Sequence, residues 1–299
     1  MNKVLKVENL WWPFGAHLLH TKFAYIHAIK KNYYFFYKYN TYPVFFYFNY
    51  TIEHFYEPIS TINEHDMYHE QKELIDYKDV IINDEEKWSY KPSKFNTVKE
   101  FHQHVLKTLY KPNEMVKNYI NNNKLFRYLI DEKIKYIGMH IRLSDKTSGD
   151  FKETDYIDLH KYLDKCLDLC NEHSINVIVV CSDTINGLNS ILDYNKSLNN
   201  NIRILYNNEE NRCNDEWRES VVYRTANLIA TPEEMKQEYL TAFVNFEYLL
   251  NASIIVGNWD SCFILMASEY RLNPLDVNIN TNNSPKWGAP PPLTPPEPI

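Results

Sequence analysis

Apolar and polar residues alternate along the chain with two different periods. Between residues 16 and 30 the apolar positions fall three and four apart, which is the spacing of a helix that buries one face. Residues 177–181 form an unbroken apolar run instead, which is typical of a parallel strand covered on both faces. The whole pattern predicts strands at 4–7, 33–39, 44–49, 136–141, 177–181, 202–205 and 253–256, and helices at 16–30, 95–109, 113–130, 156–172, 188–192, 233–250 and 261–270.

Predicted strands and helices alternate through the second half of the chain. This order predicts an α/β fold with a doubly wound parallel sheet, whose ligand site lies beyond the carboxyl ends of the strands. We expect an N-terminal α/β domain over 1–130, a second α/β domain over 131–283 and a proline-dense tail over 284–299. The tail is expected to be extended, as a spacer or as a ligand for an aromatic groove. Residues 59–93 are polar and irregular, and their pattern predicts no helix or strand.

The composition limits the class of protein. Of the 299 residues 44% are hydrophobic, enough for a sizeable core, and 24 Tyr, 15 Phe and 6 Trp make the chain rich in aromatic side chains. Because these lie mostly in strand-like runs, core packing is favoured over stacking on carbohydrate. The net charge of −7 without an arginine-rich block argues against a nucleic-acid surface. No stretch has the length of a membrane span or the pattern of a signal peptide, so a cytoplasmic protein is expected.

The five cysteines are odd in number and form no metal-binding pattern. Cys166 and Cys170 lie four apart on a predicted helix and could face one ligand, but a tetrahedral zinc site needs two further ligands at similar spacing. Reduced, partly buried thiols are therefore expected, and no metal ion.

The first segment with chemical potential follows the strand predicted at 136–141. There His140, Arg142, Asp145 and Lys146 lie within seven residues. The guanidinium of Arg142 offers the fork of donors that suits a diphosphate, and Lys146 could contribute to the same anion site. Two alternatives remain open here: a surface ion pair between Arg142 and Asp145, and a histidine that satisfies a buried hydrogen bond.

Two further predicted strands end in polar residues at the same edge of the sheet. Ser182, Asp183 and Thr184 follow the apolar run at 177–181, where Asp183 could bind a base or ribose, although capping of the next helix is favoured. The sequence Gly-Asn-Trp-Asp-Ser-Cys over 257–262 leads from a strand into a helix whose first amides favour an anion. Ser261 could donate to a phosphate or act as an ordinary N-cap.

Taken together, these motifs resemble those of the α1,6-fucosyltransferases and the wider group of rhizobial nodulation and protein O-fucosyltransferases. The specific motif is His-x-Arg-x-x-Asp-Lys over 140–146, followed by Ser-Asp-Thr over 182–184. Weaker similarity covers Gly-Ala-His-Leu-Leu-His over 15–20, Phe-Tyr-Glu-Pro-Ile-Ser over 55–60 and Leu-Tyr-Lys-Pro over 109–112. The resemblance extends, with interruptions, over about residues 10–272.

The resemblance implies two facing Rossmann-like domains (the GT-B type of glycosyltransferase), with GDP-fucose bound mainly by the C-terminal one. It implies that Arg142 binds the β-phosphate, that Asp150 is the general base and that Lys146 orients this base. The remaining donor-binding residues that it implies are Gly15, His140, Asp145, Asp183, Asn245, Asp260, Ser261 and Cys262.

The sequence departs from the family pattern at four of these places. Leu143 follows Arg142 where the α1,6 enzymes have a second arginine, and Asn245 stands where they carry an acidic residue that reads guanine. Cys262 replaces a glutamine, and Asp150 is shorter than the usual glutamate. These departures leave room for another linkage, donor sugar or base.

The expected function is an inverting, metal-independent transfer of L-fucose from GDP-fucose to a glycan or protein hydroxyl, without a cofactor. Metal independence is expected because no Asp-x-Asp pair ends a predicted strand, and Arg142 with Lys146 could neutralise the leaving diphosphate instead. Two alternatives stay open: a transferase of the same fold that uses another nucleotide sugar, and a noncatalytic glycan- or nucleotide-binding relative.

Overall fold

Two parallel sheets organise the protein. Its computed structural model describes residues 3–7, 14–37, 56, 60–61, 72–143, 156–210, 212 and 231–280. The strands are β1 (Lys3–Val7), β2 (Tyr34–Tyr37), β3 (Glu73–Asp76), β4 (Ile137–Ile141), β5 (Val177–Ser182), β6 (Arg203–Tyr206), β7 (Ile254–Gly257) and β8 (Val277–Asn278). The helices are α1 (Phe14–Lys31), α2 (Asp84–Ser89), α3 (Val98–Leu109), α4 (Glu114–Asn122), α5 (Lys124–Asp131), α6 (Leu159–His173), α7 (Ile185–Ser197), α8 (Pro232–Asn251) and α9 (Cys262–Arg271).

The larger sheet has the strand order β6-β5-β4-β7-β8, and every pair in it is parallel. Every residue of β4, β5 and β7 is buried, because helices cover both faces. The α/β fold expected from the alternating pattern is therefore confirmed. The smaller sheet, β2-β1-β3, is also parallel throughout. The domain boundary near residue 130 and the two facing Rossmann-like units stay predictions.

One hydrophobic core joins residues of both sheets. It includes Leu5 and Phe35 of the smaller sheet and Val179 and Ile255 of the larger one. Phe14, in the first turn of α1, contributes to this junction. Its ring meets five aromatic rings at centroid distances of 4.8–6.3 Å, those of Tyr110, Tyr239, Phe243, Phe246 and Phe263. Aromatic richness thus serves core packing here, as the sequence favoured.

The prediction of a single helix over 113–130 is wrong. It is divided into α4 and α5 at Asn123, which ends one helix and caps the next. The Asn123 Oδ1 atom accepts a hydrogen bond from the backbone N of Phe126 at 2.9 Å and one from the Tyr248 hydroxyl at 2.6 Å. Asparagine readily leaves a helix to cap another one, and here a partner 125 residues away holds it in that role.

Residues 59–93, which predicted no element, contain β3, a 3-10 turn and α2. The strand β3 is easily missed because it is short, lies at a sheet edge and is only partly buried. The strand expected at 44–49 and the tail over 284–299 lie outside the described residues. Within the described part of the chain, no helix is both long and apolar enough to cross a membrane.

We expect Gly15→Ala to destabilise the protein by about 1–3 kcal/mol, the usual cost of overpacking. A Cβ atom at Gly15 would lie 2.6 Å from the backbone N and 2.7 Å from the Cα of Phe263, so α1 and α9 would have to separate. Denaturant unfolding measures the change, with Lys31→Ala at the exposed end of α1 as the control. Wild-type stability in Gly15→Ala would show that the two helices can move apart freely.

Candidate functional site

Three polar segments meet at the carboxyl edge of the larger sheet. His140 of β4 pairs in register with Cys181 of β5 and Gly257 of β7, so the residues after these positions leave the sheet side by side. This brings together the ends of the three strands that the sequence singled out. The edge is the expected ligand-binding side of an open parallel sheet.

Arg142 and Asp183 form the centre of this edge. The Arg142 Nη1 atom lies 3.1 Å from the Asp183 Oδ2 atom, and the other carboxylate oxygen accepts a hydrogen bond from the backbone N of Leu143 at 3.0 Å. Both side chains stay partly exposed, at 27% and 16%. The carboxylate thus orients the guanidinium of Arg142 at the sheet edge. Arg142 thus pairs with Asp183, while the alternative of a pair with Asp145 lies outside the described residues.

Asp183 does not cap the helix that follows it, so the favoured capping interpretation is wrong. Thr184 caps α7 instead, with its hydroxyl accepting from the backbone N of Gly187 at 3.1 Å. Ser182 supports this turn through a hydrogen bond to the Thr184 carbonyl. Because Thr184 caps the helix, the carboxylate of Asp183 has no part in capping and pairs with Arg142.

His140 is buried beneath the same edge. Burial, with a smaller effect of the Arg142 charge, lowers the pKa of His140 to about 3, so the imidazole is neutral at physiological pH. The ring stacks on Phe263 of α9, with centroids 5.2 Å apart. Its Nδ1 atom has no hydrogen-bond partner among the described residues. Buried polar atoms rarely lack a hydrogen-bond partner, so a ligand would supply the missing partner of this nitrogen.

The N-terminus of α9 lies beside this ring. Ser261 occupies the N-cap position, but its side chain makes no capping hydrogen bond, so the ordinary N-cap alternative is not realised. Cys262 is the first residue of the helix and is buried. The Asp260 Oδ2 atom does not cap the helix but accepts a hydrogen bond from the side chain of Asn280 at 2.9 Å.

Gly15 reaches the site from the N-terminal half. It lies in the first turn of α1, against the backbone of Cys262 and Phe263. The predicted residues Gly15, His140, Arg142, Asp183, Ser261 and Cys262 are therefore gathered around one sheet edge. Asp145, Lys146 and Asp150 lie outside the described residues, so their roles stay predictions.

Asn245 joins the site from α8, and a network that the sequence did not indicate holds it there. Its Nδ2 donates to the Glu210 Oε1 atom at 2.9 Å, while its buried Oδ1 has no partner among the described residues. Arg212 binds the other oxygen of Glu210 at 2.6 Å and the carbonyls of Ser182 and Asn207. Because a carboxylate accepts hydrogen bonds, this arrangement assigns the nitrogen of the Asn245 amide to the side of Glu210.

Glu238 is a second carboxyl that sequence reasoning missed. It lies on α8 and interacts electrostatically with Arg142 and Asp183. Burial raises the pKa of Glu238 to about 7, and burial raises that of Glu210 to about 8 despite Arg212. The spacing of seven residues between Glu238 and Asn245, which puts both on one face of a helix, was a signal that could have found it.

The expected cysteine chemistry can be checked at four of the five positions. Cys166, Cys170, Cys181 and Cys262 are buried and form no disulfide. Across the described ranges, no group of three or more His, Cys, Asp or Glu side chains is arranged to hold a metal ion.

Comparison with known proteins gives matches in structure. No protein-family model matches the sequence, and no curated protein matches it. The chain is similar to NodZ alpha-1,6-fucosyltransferase soaked with GDP-fucose, at 12% identity over 90% of this chain and 92% of that one, with a TM-score of 0.49. It is similar to POFUT1 in complex with GDP-fucose at 8% identity, over 93% and 97% of the two chains, with a TM-score of 0.46.

A mutant of Arabidopsis thaliana FUT1 in complex with GDP is similar at 10% identity over 90% of this chain and 69% of that one, with a TM-score of 0.49. NodZ is a fucosyltransferase by name.

We expect Asp183→Asn to reduce the free energy of unfolding by about 1–3 kcal/mol, the range for losing a charged hydrogen-bond partner. The substitution keeps the shape of the side chain but removes the charge that pairs with Arg142 at 3.1 Å. Denaturant unfolding provides the measurement. Asp168→Asn on the exposed face of α6 is the matched control, and equal stability of both variants would refute a structural role for the pair.

Proposed function

We propose that the protein is an inverting glycosyltransferase that takes a sugar from a nucleotide donor, with GDP-fucose as the favoured donor. The observation that carries the proposal is the guanidinium of Arg142, fixed by Asp183 at the sheet edge beside the N-terminus of α9 and the unpaired Nδ1 of His140. A guanidinium, the first amides of helix α9 and a buried nitrogen make a site for a phosphate group. GDP-fucose is favoured by the family resemblance of the motif.

In this proposal the sheet edge stabilises the leaving diphosphate. As the bond between the anomeric carbon and the phosphate oxygen breaks, negative charge grows on the diphosphate. Arg142 and the α9 amides stabilise this charge. A fixed donor of this kind is typically worth about 3–4 kcal/mol in the transition state. The neutral ring of His140 adds a hydrogen bond without adding charge, because its low pKa keeps it unprotonated.

The acceptor hydroxyl attacks the opposite face of the sugar, which inverts the anomeric centre. Its proton passes to Asp150 as the new bond forms, with Lys146 orienting this carboxylate. A glycan or a protein hydroxyl is the proposed acceptor. Asn245 presents its oxygen to the base of the nucleotide, where it accepts from an N–H group such as those of guanine.

Arg142→Ala should lower transferase activity at least tenfold and leave the fold intact, because the guanidinium neutralises charge that develops in the transition state. Release of GDP from GDP-fucose, with water or a candidate acceptor, measures the rate, and thermal unfolding checks the fold. Asp168→Asn serves as the surface control. An Arg142→Ala enzyme with full activity would mean that the ion pair with Asp183 is its whole role.

Activity should persist in excess EDTA, since protein cations and amides carry the charge of the leaving group in this mechanism. The measurement is GDP release before and after chelation, followed by addition of manganese. Loss of turnover in EDTA with recovery in manganese would contradict a metal-independent mechanism.

The donor itself is tested by ligand-induced thermal stabilisation, with GDP-fucose, GDP-mannose and UDP-sugars compared at equal concentration. GDP-fucose should give the largest shift. A larger shift with a UDP-sugar would favour the second candidate, a transferase of the same fold with another donor. Binding without any hydrolysis or transfer would favour a noncatalytic relative.

A further inference from the structure

A polar stripe runs along one face of α8 toward the site. Glu238, Thr241 and Asn245 are spaced three and four residues apart, so they lie above one another on the helix. Tyr239 and Phe243, on another face, are buried in the core. Within this stripe the amide nitrogen of Asn245 donates to Glu210.

The direction of α8 places Glu238 above Arg142. The helix leads into β7, which is parallel to β4, so it runs back along the sheet with its first turns at the carboxyl edge. Asn245 is level with Cys181, whose Sγ contacts the Asn245 carbonyl at 3.8 Å. Seven residues toward the N-terminus of α8 correspond to about 10 Å of helix. Glu238 therefore stands beyond the strand ends, where Arg142 leaves the sheet.

Charged groups from three other segments face this carboxyl. Arg142 from the end of β4 attracts it, whereas Asp183 from the end of β5 and Glu210 from the segment after β6 repel it. No described residue donates a hydrogen bond to the Glu238 carboxyl. The group is thus partly buried at the sheet edge, and its interactions with the described residues are those of charge.

We propose that Glu238 contacts the bound donor as a neutral carboxylic acid, donating a hydrogen bond to a phosphate oxygen, so that donor binding takes up a proton. This inference rests on the proposed function, which places the diphosphate at Arg142. A carboxylate in this position would repel the diphosphate, whereas the acid adds one more donor to it. The proton enters from solvent as the donor binds and returns to solvent as it leaves.

The sign of the pH dependence follows from this linkage. Burial raises the pKa of free Glu238 to about 7, and a neighbouring diphosphate raises it further. Below the pKa of the free protein the acid is already present, and affinity is constant. Above it, each pH unit costs about tenfold in affinity until the pKa of the complex is reached.

The experiment measures GDP-fucose binding to the full chain by calorimetry between pH 6 and pH 9. GDP-fucose is the probe because its diphosphate is esterified at both ends and does not itself titrate there. Wild type should lose affinity about tenfold per pH unit above the pKa of Glu238, and buffers of different ionisation enthalpy should report uptake of up to one proton.

Glu238→Gln keeps the shape and a donor but cannot titrate. Its affinity should therefore not show the tenfold loss per pH unit above pH 7, and proton uptake from this position should be absent, which leaves only the contribution of Glu210 with its pKa of about 8. Glu234→Gln is the matched control, because it makes the same change one turn earlier in α8. Glutamine is tolerated there in the capping box with Thr231. This control should keep the wild-type pH dependence.

An unchanged pH dependence in Glu238→Gln, or wild-type binding without proton uptake, overturns this inference while leaving the proposed function standing. Absence of binding by wild type at every pH overturns the proposed function and this inference with it.

Discussion

Burial of β4, β5 and β7 on both faces is the constraint on which the rest of the molecule depends. Strands covered by helices on two sides hold apolar residues almost exclusively, so the polar residues of the same segments collect where the strands end. Because the strands are parallel and in register, those ends meet at one edge. Arg142 and Asp183 become neighbours across 40 residues of sequence for this reason. His140 is the exception, a polar residue kept inside the sheet, and burial holds its ring neutral.

The sequence therefore predicted the parts of the site that strand ends supply. Long apolar runs located β4, β5 and β7, and the polar residues after them gave His140 and Arg142. Glu238 was missed although its spacing of seven residues from Asn245 puts both on one helix face. The sequence could not predict Glu210, because the role of this residue depends on which loop meets the sheet edge in three dimensions. The break at Asn123 was missed for the same reason, since the hydroxyl that helps to hold this cap belongs to a helix far along the chain.

The N-terminal half contributes to the site through packing. The first turn of α1 lies against the first turn of α9, at a distance that glycine permits and larger residues do not. Further along these helices, the ammonium of Lys22 is fully buried and binds Glu269 at 2.7 Å. A buried charge that loses its partner is strongly destabilising, so this pair fixes α9 against α1. The position of the α9 amides at the sheet edge is thus set by residues more than two hundred positions earlier.

Charge balance explains why the edge can hold several ionisable groups before any ligand arrives. Among the residues that the structure describes, two guanidinium groups, of Arg142 and Arg212, face three carboxyl groups, of Asp183, Glu210 and Glu238. Full ionisation would leave an excess of negative charge in a partly buried place, and burial opposes this by raising the pKa values of Glu210 and Glu238. Asp183 meanwhile orients the guanidinium of Arg142. An anionic ligand then meets a guanidinium already in position, and little reorganisation accompanies its binding.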